Sequence, residues 1–385
     1  MLAVLVAQFL SALGDNMLLL AAIALVKARG ATDWIPLLQQ FFVLPFILLA
    51  PFAGPLADAF SKGRVMWVAN NLKLAGAALM FAGWNPLLAY GLVGVGAVSY
   101  SPAKYGILSQ FFGPDRLVKA NGLLEGSTIV AILLGVVLGG RLADHSMTLA
   151  FWSVLGVYAA AAGINLAIPR LPAEHPLERF NPLALLRDFA AAVKILWANG
   201  DARFSLLGTS LFWGAGATLR LALFAWVPAA LLIADNQTPA NLMGAVSLGI
   251  VAGAFLAGWM VSLARVNRAL IGGLLLGPLV LALAFTTSLP LAVVLLAGVG
   301  AAGGFFVVPQ NALLQERGHE RVGAGHALAV QNLWENLFML LFVGGYYLAI
   351  EAGVGIIGLV AGFGLLILTG IGALAAWRLR TAITE

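Results

Sequence analysis

The sequence predicts an all-α membrane protein of twelve transmembrane helices arranged as two six-helix halves. Three observations carry that expectation. Of the 385 residues, 62% are hydrophobic and 10% charged, with a mean hydropathy of +0.98, whereas a soluble domain carries about 25% charged residues. Apolar windows of about 20 residues, the length that crosses a hydrocarbon core, recur along the chain. Lys and Arg fall overwhelmingly on one side of those windows.

The windows lie near residues 3–26, 35–57, 65–83, 87–110, 118–140 and 148–168, then near 206–232, 240–262, 269–288, 290–313, 324–349 and 354–377. Between the two groups runs the longest polar stretch, read as a cytoplasmic linker with an amphipathic helix over 183–198. The expected organisation is an N-terminal half over 1–168, a linker over 169–203 and a C-terminal half over 204–385. With both termini inside, the cytoplasmic segments hold Lys62, Arg64, Arg116, Lys119, Arg170, Arg179, Arg187, Lys194, Arg203, Arg265, Arg268, Arg317, Arg321, Arg378 and Arg380. The outer loops hold only Lys27, Arg29 and Arg141. Fifteen against three fixes the orientation by the positive-inside rule. The net charge of +5 is therefore a topological signature and no argument for nucleic acid.

Several chemistries are excluded. The chain has no cysteine, which removes disulfides, Cys-based metal sites and thiol catalysis. The first apolar segment is too long for a cleavable signal and lacks a basic flank and a typical cleavage site, so it reads as a span. His145, His175, His319 and His326 have no metal-ligand spacing and no acyltransferase-like His-x-x-x-x-Asp, and Gly-x-x-x-x-Gly-Lys-Ser/Thr is absent. No catalytic residue, metal or cofactor is expected, so transport energy must come from a substrate gradient or a coupled ion.

Internal repeats organise the spans. Gly54-Pro55-Leu56-Ala57-Asp58 closes the second span and Gly140-Arg141-Leu142-Ala143-Asp144 the fifth, ends that lie on opposite sides of the membrane, as inverted three-helix repeats require. Val118-x-Ala120 and Gly139-Gly140 recur as Val322-x-Ala324 and Gly344-Gly345, and Pro102 matches Pro309, at an offset of about 205 residues. Duplicated six-helix halves made of inverted three-helix units match the architecture of the major facilitator superfamily. Residues 54–64 also resemble that superfamily's cytoplasmic loop motif, Gly-x-Leu-Ala-Asp-Arg-x-Gly-Arg-Arg/Lys, with Ala59 in place of the first basic residue and Ser61 in place of the second glycine. The resemblance implies a gating latch at Asp58, Lys62 and Arg64. In it Asp58 accepts from helix N-terminal amides or from a basic side chain of the other half and stabilises the outward-open state. An ordinary capped loop is the alternative. The matching loop of the second half has Arg265 and Arg268 but no Asp, so a latch there is weaker or absent.

Six ionisable residues remain inside spans: Asp15, Lys73, Lys104, Glu125, Arg220 and Glu335. A charge at the bilayer centre costs about 2.5–3.5 kcal/mol on insertion scales, so each is a functional candidate. Asp15 lies about twelve residues into the first span and Arg220 about fourteen into the seventh, equivalent helices of the two halves. At 1.5 Å per residue they sit within about 3 Å of one depth. They form either a site for a ligand bearing both charges or a structural pair, and a permanent buried pair contributes little net stability. Lys104 and Glu125, toward the cytoplasmic side, form an inner gate or a structural clamp, and Asn121, Glu125 and Thr128 share a helix face. Gln331, Asn332, Glu335 and Asn336 make two i, i+4 pairs within about 140° of arc, facing water or ligand, or bonding between helices. Lys73 is the least interpretable, since a single lysine in the third span can snorkel. Gly94, Gly96, Gly298, Gly300, Gly303 and Gly304 read as close packing or bending, or as part of a gate. The run from Gly303 to Asn311, with Pro309 inside it, reads as a moving helix.

Longer segments resemble one branch closely, the bacterial lysophospholipid transporter family. They are Ala7-Gln8-Phe9-Leu10-Ser11-Ala12-Leu13-Gly14-Asp15-Asn16, Ser99-Tyr100-Ser101-Pro102-Ala103-Lys104-Tyr105-Gly106, Val118-Lys119-Ala120-Asn121-Gly122-Leu123-Leu124-Glu125, and the runs 203–216, 303–309 and 311–318. The family's basic stretch before the first span is missing, so a shortened N-terminus is expected, affecting insertion and not the site. The resemblance implies a monomeric flippase moving lysophosphatidylethanolamine and lysophosphatidylglycerol from the outer to the inner leaflet of a Gram-negative inner membrane. An acyltransferase inside then restores the second chain. Arg220 suits the phosphate through bidentate hydrogen bonds, Asp15 an ethanolamine ammonium, and Asn16 and Gln8 the glycerol hydroxyls. Phe41, Phe42, Phe212, Trp213, Phe305 and Phe306 are candidates for lining a tail groove, though each also reads as packing. The runner-up is a proton-coupled exporter of amphipathic small molecules in which Asp15 or Glu335 titrates. A membrane enzyme or scaffold would need a catalytic set that is not visible.

Overall fold

A computed structural model describes residues 1–31, 34–169, 171–173, 181–233 and 237–384. Arg170, His175 and Arg179, read above as linker residues, lie outside the described residues. The first six expected spans correspond to α1 (Leu2–Ala28), the pair α2 (Ile35–Leu48) and α3 (Ala50–Ala59), α4 (Lys62–Phe81), α5 (Pro86–Phe111), α6 (Pro114–His145) and α7 (Met147–Asn165). The linker forms α8 (Pro182–Ala198). The last six spans are α9 (Gly200–Trp226, continued by a π turn over Val227–Leu231), α10 (Gln237–Met260), α11 (Ala269–Ala284, entered by a 3-10 turn over Leu263–Arg268), α12 (Leu289–Arg321), α13 (Ala324–Glu351) and α14 (Ile356–Thr384).

Among the described residues nine helices are long and apolar enough to cross a membrane alone, or ten when α2 and α3 count as one bent span. α4 and α5 supply the other two of the twelve. Both were expected from the apolar windows near 65–83 and 87–110, but the polar residues they carry, Lys62, Arg64, Asn70, Asn71 and Lys73 in α4 and Lys104 in α5, make them less apolar than the other spans. The bend between α2 and α3 is 68°. Its cause is local: Pro45 lies inside α2 and Pro51 opens α3, and each proline removes a helix hydrogen bond and crowds the preceding turn.

Helix starts follow capping chemistry. The Asn85 side chain accepts from Leu87 N at 2.9 Å ahead of Pro86, and Asn199 from Ala202 N at 2.8 Å, so amides without an intrahelical partner find one in a side-chain oxygen. α8 is amphipathic as expected. It buries Leu185, Phe189, Ala192 and Leu196, at helical spacing, and exposes Arg187, Asp188 and Lys194.

The chain forms two compact units. One comprises Met1–Gly113, Val130–Ile195 and Gly318–Leu333, and the other Pro114–Ile129, Leu196–Arg317 and Trp334–Glu385. Each unit is thus assembled from three separate stretches of the chain. The first unit packs α1 on α7 and α4 on α5 around Met17, Leu18, Met80, Phe151 and Tyr158. The second packs α11 and α9 on α14 around Phe204, Trp226, Leu283, Phe306 and Ile371.

Candidate functional site

α1 places Ser11 and Asp15 one turn apart on the same face. Asp15 Oδ2 receives Lys73 Nζ from α4 at 2.8 Å, and Oδ1 receives the Tyr158 hydroxyl from α7 at 2.8 Å. Lys73 also donates to Ser11 Oγ at 2.9 Å, and Ser11 donates to Asn70 Oδ1 at 2.7 Å. The ammonium lies 5.1 Å from the Tyr100 ring centre. Lys73, Ser11, Asn70 and Tyr158 are buried, while the Asp15 side chain stays 21% exposed. Lys73 therefore does not snorkel. An opposite charge at contact distance satisfies it better than a distant interface would. Glycines permit the crowding: a Cβ on Gly14 would stand 2.8 Å from the Tyr158 ring, and one on Gly96 would stand 2.7 Å from Lys73 Cγ.

The other head-group candidates are arranged less tightly. Gln8 is buried in α1, and Asn16 donates to Ala12 O of its own helix at 2.8 Å. Arg220 on α9 is exposed, and among the described residues its guanidinium has no hydrogen bond or ion pair. One turn earlier Gly216 is also exposed, with nothing within 4 Å of the position of a Cβ. A guanidinium beside such an opening can present its fork of donors to an arriving oxyanion.

The loop candidate Asp58 is fully buried at the end of α3 and holds four donors. Gly325 N reaches Oδ1 at 2.8 Å, His326 N reaches Oδ2 at 3.2 Å, His326 Nδ1 lies 3.0 Å from Oδ2, and Lys62 Nζ lies 2.9 Å from Oδ1. The two amides open α13, after a turn made by Gly323 at φ +92°, so the carboxylate sits on the positive end of that helix. The approach is set by two glycines. A Cβ on Gly54 would lie 2.8 Å from Gly325 O, and one on Gly325 would lie 2.6 Å from Asp58 Oδ1. Arg64 is exposed and takes no part in an ion pair among the described residues.

In the second unit Asn121 of α6 and Gln315 of α12 exchange two hydrogen bonds, at 2.9 and 2.7 Å, and both are fully buried. One turn further along α6, Glu125 Oε1 receives Asn311 Nδ2 at 3.4 Å. Lys104, in the first unit, has its ammonium 4.5 Å from the centre of the Tyr105 ring. On α13, Asn332 donates to Ser101 Oγ at 3.1 Å, and Gln331, Glu335 and Asn336 are buried. At the start of α9, Asp201 holds Arg317 at 2.7 Å and Arg378 at 2.5 Å, and Arg378 also donates to Asn267 Oδ1 at 3.0 Å. Of the aromatic candidates, Phe306 is core, whereas Phe41 lines an apolar pocket of about 280 Å³ with Leu44, Pro45, Leu48, Leu88 and Val95.

Tyr158, His326, Gln315 and Asp201 were not singled out as partners from the sequence. The signals available were weak: a tyrosine in an apolar span, a histidine one residue past Gly325, and an Asp two residues after the cap Asn199.

The succession of long apolar helices and the buried Asp58 loop define a class, and the chain belongs to the Major Facilitator Superfamily, whose model matches residues 4–343. It is thus a multi-pass membrane transporter and not an enzyme. The fold agrees with a crystal structure of the E. coli fucose:proton symporter FucP at TM-score 0.78 and 14% identity over 98% of this chain and 97% of that one. The human organic anion transporter MFSD10 agrees at TM-score 0.75 and 18% identity over 96% and 98%. More specific likeness comes from a protein of Serratia proteamaculans (strain 568) named lysophospholipid transporter LplT, 56% identical over 352 residues, 91% of this chain and 88% of the relative. The protein of the same name in Salmonella arizonae is 52% identical over 383 residues, 99% and 96%.

Proposed function

We propose that this chain moves lysophospholipids from the outer to the inner leaflet of a bacterial inner membrane by alternating access of its halves, 1–168 and 204–385. It works as a monomer with both termini cytoplasmic and supplies an acyltransferase that restores the second chain. The observation that carries the reading is Arg220, an exposed guanidinium in a spanning helix that has no hydrogen bond or ion pair among the described residues. Such a charge is too costly to keep in hydrocarbon without a purpose, and a phosphate monoanion with an apolar tail is the ligand that both it and the membrane would accept. The names of the close relatives support the same substrate class.

Within this reading Gln8 and Asn16 serve the glycerol backbone, and Lys104, Glu125, Gln331, Asn332 and Glu335 are further substrate-binding residues. Asp58 and Lys62, with Arg64 outside them, latch one state by holding the start of α13. The test is uptake of labelled lysophospholipid by spheroplasts carrying Arg220→Ala at normal membrane abundance. Uptake falls by about tenfold or more, because hydrogen bonds to a charged group contribute about 1.5–3 kcal/mol each. Wild-type uptake by this variant removes Arg220 from the site.

A further inference from the structure

We propose that Lys73 sets head-group selectivity, as a built-in counter-ion that cancels the charge of Asp15 and leaves the phosphate as the group the transporter recognises. The inference rests on the function proposed above and deepens it. Both carboxylate oxygens of Asp15 are already engaged by the chain itself, Oδ2 by the Lys73 ammonium and Oδ1 by the Tyr158 hydroxyl, each at 2.8 Å. An ethanolamine ammonium arriving at Asp15 would have to displace an ammonium in contact.

That displacement is opposed by how Lys73 is held. The side chain is buried, its Cγ lies against the Gly96 position, and its Nζ also bonds Ser11, which Asn70 anchors in turn. Asp15 nevertheless remains 21% exposed, so a ligand meets it as half of an ion pair and not as a free anion. The surface it offers carries no net charge. A zwitterionic head group gains no attraction there, and an anionic one suffers no repulsion, so lysophosphatidylethanolamine and lysophosphatidylglycerol become equivalent substrates. The ammonium-recognition role expected for Asp15 is replaced by neutrality.

The experiment is the ratio of initial uptake rates of these two labelled lipids in spheroplasts expressing the full chain as wild type, Lys73→Met, Asp15→Asn or the double variant. The wild-type ratio is near one. Lys73→Met exposes an uncompensated carboxylate and shifts the ratio toward the ethanolamine lipid, and Asp15→Asn leaves an unbalanced ammonium and shifts it toward the glycerol lipid. Each shift is on the order of tenfold, the scale of one unbalanced charge in a partly wet site. The double variant returns the ratio toward one. A wild type that already discriminates tenfold, or single variants that slow both lipids equally with no change of ratio, overturns the role of Lys73 and leaves the transport reading standing. If Lys73→Met does not reach the membrane, Asp15→Asn decides by the same criterion. A wild type that moves neither lipid overturns the transport reading and this inference with it.

Discussion

Asp58 and Asp144 each end the pattern Gly-x-Leu-Ala-Asp, yet one is fully buried with four donors and the other is exposed with no polar partner among the described residues. The pentapeptide sets the end of a helix in both repeats. What differs is the surroundings, because only Asp58 meets the first turn of α13 and the ammonium of Lys62. Removing one member of a buried pair leaves the other charged and desolvated, at a cost of about 3–5 kcal/mol. Asp58→Ala also takes the acceptor from the amides of Gly325 and His326. Its melting temperature in detergent should fall well below that of the wild type, while Asp144→Ala melts as the wild type does. Equal melting of the two variants would refute the assignment of Asp58 as a buried clamp.

At the scale of helices, the lipid solvent removes the hydrophobic drive for association, so close backbone approach must supply it. α10 and α12 show how. A methyl group on Gly249 or Gly253 would overlap the carbonyl oxygen of Ala297 or Ala301, and one on Gly300 or Gly304 would overlap that of Val246 or Ile250. The glycines of α12 left open by sequence between packing and gating thus include two that hold a helix crossing. Gly300→Leu forces backbone against side chain, beyond what repacking absorbs, and should abolish the monodisperse peak in size-exclusion chromatography. Gly344→Ala, with nothing within 4 Å, should elute normally. Retention of the Gly300→Leu peak would show that α10 and α12 can separate without loss of the fold. The spans themselves were legible because hydropathy is a one-dimensional signal. The break at Leu49 was not read, although Pro45 and Pro51 stood in the expected second span. The partners were less legible still. Asp15, Asp58, Asn121 and Glu125 each stood out along the chain, but Lys73, His326, Gln315 and Asn311 answer them from other helices, at azimuths that only packing determines.

For the whole molecule, the remaining question is what drives a cycle that has no nucleotide motif. A coupled proton needs an acid that changes state during transport. The acid first singled out, Asp15, already has both carboxylate oxygens engaged, one by an ammonium and one by a hydroxyl. A lysolipid gradient needs no such group. In the function proposed above, reacylation on the inner side consumes the substrate and keeps the gradient directed inward, so that alternating access alone gives net movement. The initial rate of labelled lysophospholipid uptake should therefore be unchanged when a protonophore collapses the proton gradient in spheroplasts, provided the acyltransferase reaction remains supplied. Uptake that stops with the protonophore would reject a purely gradient-driven cycle. It would then transfer attention to Glu125 and Glu335, the two buried glutamates among the described residues, as the groups that carry the proton.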